Sequence, residues 1–516
     1  MSSRRRTLTR RALLVGGGLA GCCVLASGGA ATTYFLANRA EDHVGDVDFV
    51  NPLAIPPLLD PLVDEEERLV FDLTVQTGST EILPGKHTET WGVNGPLLGP
   101  TLRARRGETV VMKVNNELPE DTSLHWHGMH LPAGMDGGPH QMVAVGESWS
   151  PTWTIEQPAS TLWYHPHPHG RTAEHVYRGV SGLILIDDDA SDALGLPSDY
   201  GVDDIPLIIQ DRDFHDDGQL TMSATSFIDE LAGRGGFGVL GDTILVNGTW
   251  SPYLDIERSL IRFRLLNGSN ARFYNVGFAD DRTFHLVATD NGLLDGKPEA
   301  LDRLLLGPGE RAEIVVQFEP DETVVLRTYK ADLGDSGRAI GAGDTFDLLE
   351  IRTAASLAEV GVLPETLGGA ASPTLVDDAT IRRFELDGHN RINDREMDMT
   401  RIDHVIPAGA REVWEVATNG QPHTFHIHGA TFHVVAVNGE EPSAALRGPK
   451  DTVFIGPDHK VRLAVQFLQH TDEAMPYMYH CHILKHEDNG MMGQFVVVEP
   501  GTEDGVDRTI EVDHRH

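Results

Sequence analysis

Four His-X-His pairs constrain this chain more than any other feature in it: His125-Trp126-His127, His165-Pro166-His167, His426-Ile427-His428 and His480-Cys481-His482. On an extended strand, residues i and i+2 project from the same face, so each pair would present two imidazoles on one side. Gathering eight neutral imidazoles costs desolvation and supplies no apolar packing unless they bind a metal. A single pair would be weak evidence, because such pairs are commonly satisfied by hydrogen bonds or left at the surface. Four pairs, one of them centred on a cysteine, point to a metal cluster.

The cysteine adds a second site. Because side chains alternate along a strand, Cys481 must point away from the face that carries His480 and His482. A metal on its sulfur would be joined through short stretches of backbone to whatever the flanking histidines hold, which is a covalent route for electrons. A trigonal set of two His and one Cys with a weak axial Met suits copper in both redox states. His486 and Met491 lie in the run that follows Cys481, and His423 stands just before the His426 pair. Those residues complete the candidate set, Met491 being preferred to Met492 on spacing alone. Of the 3 cysteines only Cys481 lies in the body of the chain, since Cys22 and Cys23 fall in the N-terminal segment. No disulfide is therefore expected there, and a lone Cys between histidines reads as a metal thiolate.

That N-terminal segment reads as an address. Thr9-Arg10-Arg11-Ala12-Leu13-Leu14 feeds an uncharged stretch of small residues and resembles a twin-arginine export signal, which implies an extracytoplasmic, periplasmic or secreted protein. Leu19-Ala20-Gly21-Cys22 is similar to a bacterial lipobox, which would leave Cys22 acylated as a lipoprotein anchor. Cleavage without acylation and retention as a single membrane anchor remain open beside it.

A chain of 516 residues is too long for one core, and roughly 100–200 residues per domain gives about three. From about residue 68 short alternating runs are broken by Gly, Pro, Asn and Asp, as at Thr109 to Val114, Gly182 to Ile186, Ile205 to Ile209 and Ile261 to Leu266. This spacing predicts an all-β array of sandwiches or barrels. Long amphipathic helical patterns are scarce, and Ala355 to Val360 is at most a short turn of helix. The joins, Asp- and Ala-rich after Asp187 and Gly/Ala/Pro-rich after Gly361, place a signal or anchor at 1–48 and domains at 49–195, 196–360 and 361–516. The 78 acidic against 41 basic residues, a net charge of -37, argue against nucleic acid or anionic membrane surfaces as partners of the mature protein. The same charge reads as a solvated surface suited to a salty medium or, more sharply, as a field gathering cationic or metal substrates.

Together HWHGMHLPAGMDGGP, WYHPHPHG, HTFHIHG and HCHILKHEDNGMM resemble the four copper motifs of the three-domain multicopper oxidases, the group of laccases, bilirubin oxidases and bacterial cuprous oxidases. The likeness runs over nearly the whole chain after the signal and includes Arg264-Leu265-Leu266-Asn267-Gly268-Ser269. It implies three consecutive cupredoxin-like Greek-key domains and four copper ions. By motif, His125 and His426 would hold the type 2 copper, and His127, His165, His167, His428, His480 and His482 the type 3 pair. His423, Cys481, His486 and Met491 would form the type 1 site. Thr424 departs from the family, which usually has Pro there; the ligand spacing is kept, so only the stiffness of a turn is in question. His130, His140, His169 and His175 lie near the motifs and are assigned to supporting hydrogen bonds or surface.

Reducing dioxygen to water consumes protons, which buried carboxylates would relay. Glu487 and Asp136 sit where the family places such acids, Asp136 being equally readable as a turn former before Gly137-Gly138. The partners implied are dioxygen and a small reducing substrate, with a monomer expected. A phenol or aromatic amine comes first as donor, because no Met-rich insertion is present beyond Glu396-Met397-Asp398-Met399; Cu(I) comes second, and Met397 and Met399 read first as core residues of a strand and second as an extra copper site. A copper-binding cupredoxin scaffold without catalysis is the alternative from another class, since fold does not fix function. It would be expected to lack the Cys or several His.

Overall fold

The computed structural model describes residues 42–222, 237–374 and 379–511; the Arg10-Arg11 signal and Cys22 lie outside them. Among the described residues no helix is long and apolar enough to cross a membrane.

The chain is all-β, as its patterning predicts, and its strands form three successive pairs of sheets. In the first pair, a six-stranded sheet built on Leu69–Glu81 and Thr109–Glu117 faces a four-stranded one that runs Leu102–Arg105, Gly182–Asp187, Ser160–His165, His125–His127. Phe71, Leu73 and Val75 meet Leu162, Tyr164 and Ile184 between them. The second pair is larger, and its core joins Ile205, Leu207 and Phe263 to Leu254, Leu349 and Ile351. The third has two five-stranded sheets, one of them ordered His404–Pro407, Met492–Val498, Asp472–Cys481, His423–Ile427, Thr452–Ile455. Phe384, Trp414 and Leu463 pack there against Phe425, Tyr479 and Phe495. Burial of such interleaved apolar faces, at about 25 cal/mol per Å² removed from water, is what holds each pair together.

Two local expectations are corrected. Ala355 to Val360 begins no helix: Thr345–Ala358 is one long strand, with Ala358 paired to Arg258 across a bulge. Sheet pairing overrides the helical preference of its alanines. Thr424 does not lie in a turn. It is the second residue of the strand His423–Ile427 and pairs with Phe454, while its carbonyl accepts from the His482 N–H at 2.8 Å. The N-terminal strands Asp42–His43 and Asn51–Pro52 add to a sheet of the second pair.

Candidate metal centre

Strand register brings the histidine pairs together. His125 stands opposite His165 in the first sheet pair, and His426 opposite His480 in the third, so both sheets end at one shared face. Only His125–His127 lies wholly on a strand; His167, His428 and His482 each sit just past the end of theirs. The departure from simple alternation has a purpose. Strands that stop at the cluster let imidazoles from two sheet pairs close over it from both sides. All eight are buried at 2 % exposure or less.

Hydrogen bonds decide which nitrogen of each ring faces inward. A carbonyl oxygen can only accept, so a nitrogen against one must carry the proton and the ring's other nitrogen keeps its lone pair. His125 Nδ1 donates to Asp136 O at 2.8 Å, His426 Nδ1 to Asp451 O at 2.9 Å, His165 Nδ1 to Pro166 O at 2.8 Å and His480 Nδ1 to Cys481 O at 3.1 Å. His428 Nδ1 donates to the Asp136 carboxylate at 2.7 Å. His127 is reversed: its Nε2 donates to Asp451 Oδ1 at 3.0 Å, leaving Nδ1 inward.

The inward nitrogens then group themselves. His480 Nε2 lies 3.3 Å from His167 Nε2 and 3.2 Å from His428 Nε2, while His127 Nδ1 lies 3.3 Å from His165 Nε2 with the His482 ring 4.9 Å from that of His127. His125 and His426 remain, with Nε2 atoms that have no hydrogen-bond partner among the described residues, as is also true of both His482 nitrogens. Burial, reinforced by neighbouring rings, holds His125, His127, His167, His428, His480 and His482 well below the usual imidazole range, and His165 at about 3. These seven rings are held toward the neutral form. Facing lone pairs 3.2 Å apart at His428 and His480 and 3.3 Å apart at His127 and His165 repel, and a cation between them relieves that repulsion, so the donor set fits a buried metal cluster.

Cys481 points the other way, into the core of the third sheet pair. Its Sγ lies 3.4 Å from His423 Nδ1 and 3.5 Å from His486 Nδ1, and those two nitrogens are 3.2 Å apart. Met491 is fully buried beside them and its carbonyl accepts from the Cys481 N–H at 3.1 Å. Burial pushes the Cys481 thiol up to about 12, so a thiolate there needs a bound cation. Soft sulfur with two imidazoles suits copper.

Both candidate acids adjoin the histidines. The Glu487 carboxylate lies between His167 Nδ1 and His480 Nδ1, 3.3 Å from each, without hydrogen-bond alignment to either. Burial pushes it, and likewise Asp136, well above the usual carboxylate range. Asp136 is more than a turn former, since one carboxylate oxygen orients His428 and its carbonyl orients His125. Of the other histidines, His130 bonds Thr431, His140 bonds Gln494, buried His175 bonds Thr122 and Glu120, and His169 is exposed. Met397 and Met399 sit in a loop rather than a strand, with the Met397 N–H donating to Gly490 O at 2.9 Å.

Sequence reasoning missed the residues that support the cluster. Asp451 holds His127 and is itself gripped by Arg311 through bonds of 2.6 and 2.7 Å. Gly309, at φ +84, lies so close to His482 that a Cβ there would meet the ring at 2.9 Å. The charged run Lys450-Asp451 was the only available signal, and nothing local says that it is buried.

Comparisons with known proteins agree with this geometry. Two family models described as multicopper oxidase match residues 74–191 and 371–501. A multicopper oxidase from Staphylococcus aureus is 36% identical over 87% of this chain and 93% of its own length. The cell division protein FtsP of Escherichia coli is also 36% identical, over 86% and 92%. Among solved structures, a laccase-like multicopper oxidase CueO from Ochrobactrum sp., described as having oxidase activity towards lignin model compounds, superposes with a TM-score of 0.78, 39% identity and coverage of 87% and 100%. A laccase from Pediococcus acidilactici gives 0.78, 35%, 87% and 94%.

Proposed function

Because the chain belongs to the multicopper oxidase family, we propose that it withdraws electrons singly from a phenol or aromatic amine and uses them to reduce dioxygen to water. The observation that carries this reading is the division of labour within His480-Cys481-His482: the sulfur belongs to one donor set and the flanking imidazoles to another. Copper bound to these sets would supply one-electron chemistry at the sulfur site and multi-electron chemistry at the histidine cluster.

On this reading four coppers are held: a type 1 ion by His423, Cys481, His486 and Met491, a type 2 ion by His125 and His426, and a type 3 pair by the other six histidines. The protein's own contributions follow from the geometry. Asp136 and Asp451 lock ring tautomers so that lone pairs face inward. The close packing of Gly309 fixes the His482 ring. Glu487, whose burial pushes it well above the usual carboxylate range, is placed to hold a proton next to His167 and His480 where oxygen chemistry consumes protons. Domains at 49–195, 196–360 and 361–516 and export through the Arg10-Arg11 segment belong to the same reading; the three sheet pairs support three domains and the sequence supports export, while Asp42–His43 and Asn51–Pro52 pair with the second domain's sheet ahead of the first.

The FtsP relatives carry a name from a different activity class, which keeps a copper-binding scaffold as the competing reading. The complete donor set favours the oxidase. Dioxygen uptake by the copper-loaded chain with a phenol, read together with the visible absorption of a copper thiolate, tests it. Strong absorption without uptake would assign the scaffold role, and uptake that appears only with added Cu(II) would assign Cu(I) as the donor.

A further inference from the structure

His486 is only 1 % exposed, so no donor molecule reaches it directly. Among the described residues, the tip of a hairpin lies over it. Ile381–Asp387 and Arg391–Ile392 pair through Asp387 and Arg391, and the turn between them carries His389. The His389 ring is half-buried and its Nδ1 lies 3.2 Å from His486 Nε2. Phe237 packs edge-on against it at 4.5 Å, and Asn390 ties the turn to Glu396 at 2.5 Å. The hairpin therefore places one imidazole, flanked by an aromatic ring, over the outer nitrogen of His486.

The direction of that hydrogen bond follows from the donor set below it. His486 turns Nδ1 toward Cys481 and His423, so as a neutral ligand through Nδ1 it carries its proton on Nε2. The Nε2–H donates to His389 Nδ1, which must accept, and His389 then bears its own proton on Nε2. The two nitrogens of an imidazole diverge, so this N–H is directed away from His486. It recognises a hydrogen-bond acceptor and offers no lone pair to a cation.

We propose that His389 is the docking residue for the electron donor, binding the oxygen of a phenol through Nε2–H while the phenol ring lies against Phe237. The inference rests on the oxidase reading above and names its substrate class: an oxygen-bearing aromatic rather than a cuprous ion. In the reaction the phenol gives one electron to the protein, and from there to dioxygen, and its hydroxyl proton to water, leaving an aryloxyl radical. His389 is unchanged by the turnover. It positions the donor two hydrogen bonds and one imidazole from His486.

The test compares His389→Leu, which removes both hydrogen bonds, with His389→Gln, whose amide can still accept on one side and donate on the other. Two donors are used: 2,6-dimethoxyphenol, and tetramethyl-p-phenylenediamine, which has no oxygen. For His389→Leu the KM for the phenol is expected to rise about 10-fold, the size of one lost hydrogen bond, with the diamine KM unchanged. His389→Gln is expected to restore the phenol KM to near wild type. Equilibrium dialysis of 4-nitrophenol, which resists oxidation, against the copper-loaded full chain reads binding without turnover, and His389→Leu is expected to weaken it by the same factor. An unchanged phenol KM, or an equal rise for both donors, overturns the proposal. Should the wild type oxidise neither donor, the oxidase reading fails, and the dialysis still decides His389: nitrophenol binding that is absent, or indifferent to His389→Leu, rejects the docking role.

Discussion

Replacing Asp451 with Asn separates the two tasks assigned to that carboxylate. Asp451 is fully buried and receives both Arg311 Nη atoms, at 2.7 and 2.6 Å, the His127 Nε2–H at 3.0 Å and the Thr452 hydroxyl at 2.8 Å. Burial alone would raise its pKa, but Arg311 and His127 outweigh that and hold it well below the carboxylate range. An Asn keeps one acceptor oxygen and turns an NH2 group toward an existing donor. Arg311 is left buried, its next carboxylate being Asp290 at 3.8 Å. Breaking one partner out of a buried pair costs about 3–5 kcal/mol. With a urea m-value of about 3 kcal/mol/M, the unfolding midpoint of the copper-free variant should fall by roughly 1–2 M. Copper affinity should fall about 10–100-fold as His127 loses its orientation, measured by competition with a chelator. The control is Arg311→Met with Asp451→Leu, which removes both charges and should recover most of the stability while leaving copper affinity low. Equal instability in the single and double variants would refute the unpaired-charge argument, and full copper affinity in Asp451→Asn would refute the orienting role.

Three further outcomes follow from the same geometry. Glu313 is buried between Arg262 and Arg264, whose charges outweigh its desolvation and depress its pKa from 4.5 to about 2; its contribution, about 3 kcal/mol, is present above pH 4.5 and lost as pH falls toward 2. Thermal midpoints measured across that range should drop steeply in the wild type and more gently in Glu313→Gln. Gly309→Ala places a methyl 2.9 Å from the His482 ring and adds a side chain at φ +84, so it should disturb electron paramagnetic resonance of the cluster while leaving the thiolate absorption of the Cys481 site intact. Glu487→Gln should slow dioxygen reduction about 10²-fold or more with the same absorption retained, and equal turnover would remove the proton-holding role.

How much of this was legible in the chain itself depends on the range of the physics involved. Periodicity along a strand is local, so the opposed directions of Cys481 and its two histidines could be read from residues 480–482 alone, as could the all-β class and the residue types of both donor sets. The limit shows at His167, His428 and His482, which lie beyond their strand ends, and at Ala355 to Ala358, where pairing with a distant strand overrode local preference. Which nitrogen of each ring faces the cluster was beyond the reach of any motif. His428 takes its orientation from Asp136, 292 residues away, and His127 from Asp451, 324 residues away. The hairpin that sets His389 over His486 joins residues 97 apart. The sequence by itself determined which atoms could bind metal and which strand links the two sites. Only the tertiary structure decided how most of those atoms are aimed: His165 and His480 find their acceptors on the next residue, but the acceptors of His125, His127, His426 and His428 arrive from 11 to 324 residues away, beyond the reach of any strand's own periodicity.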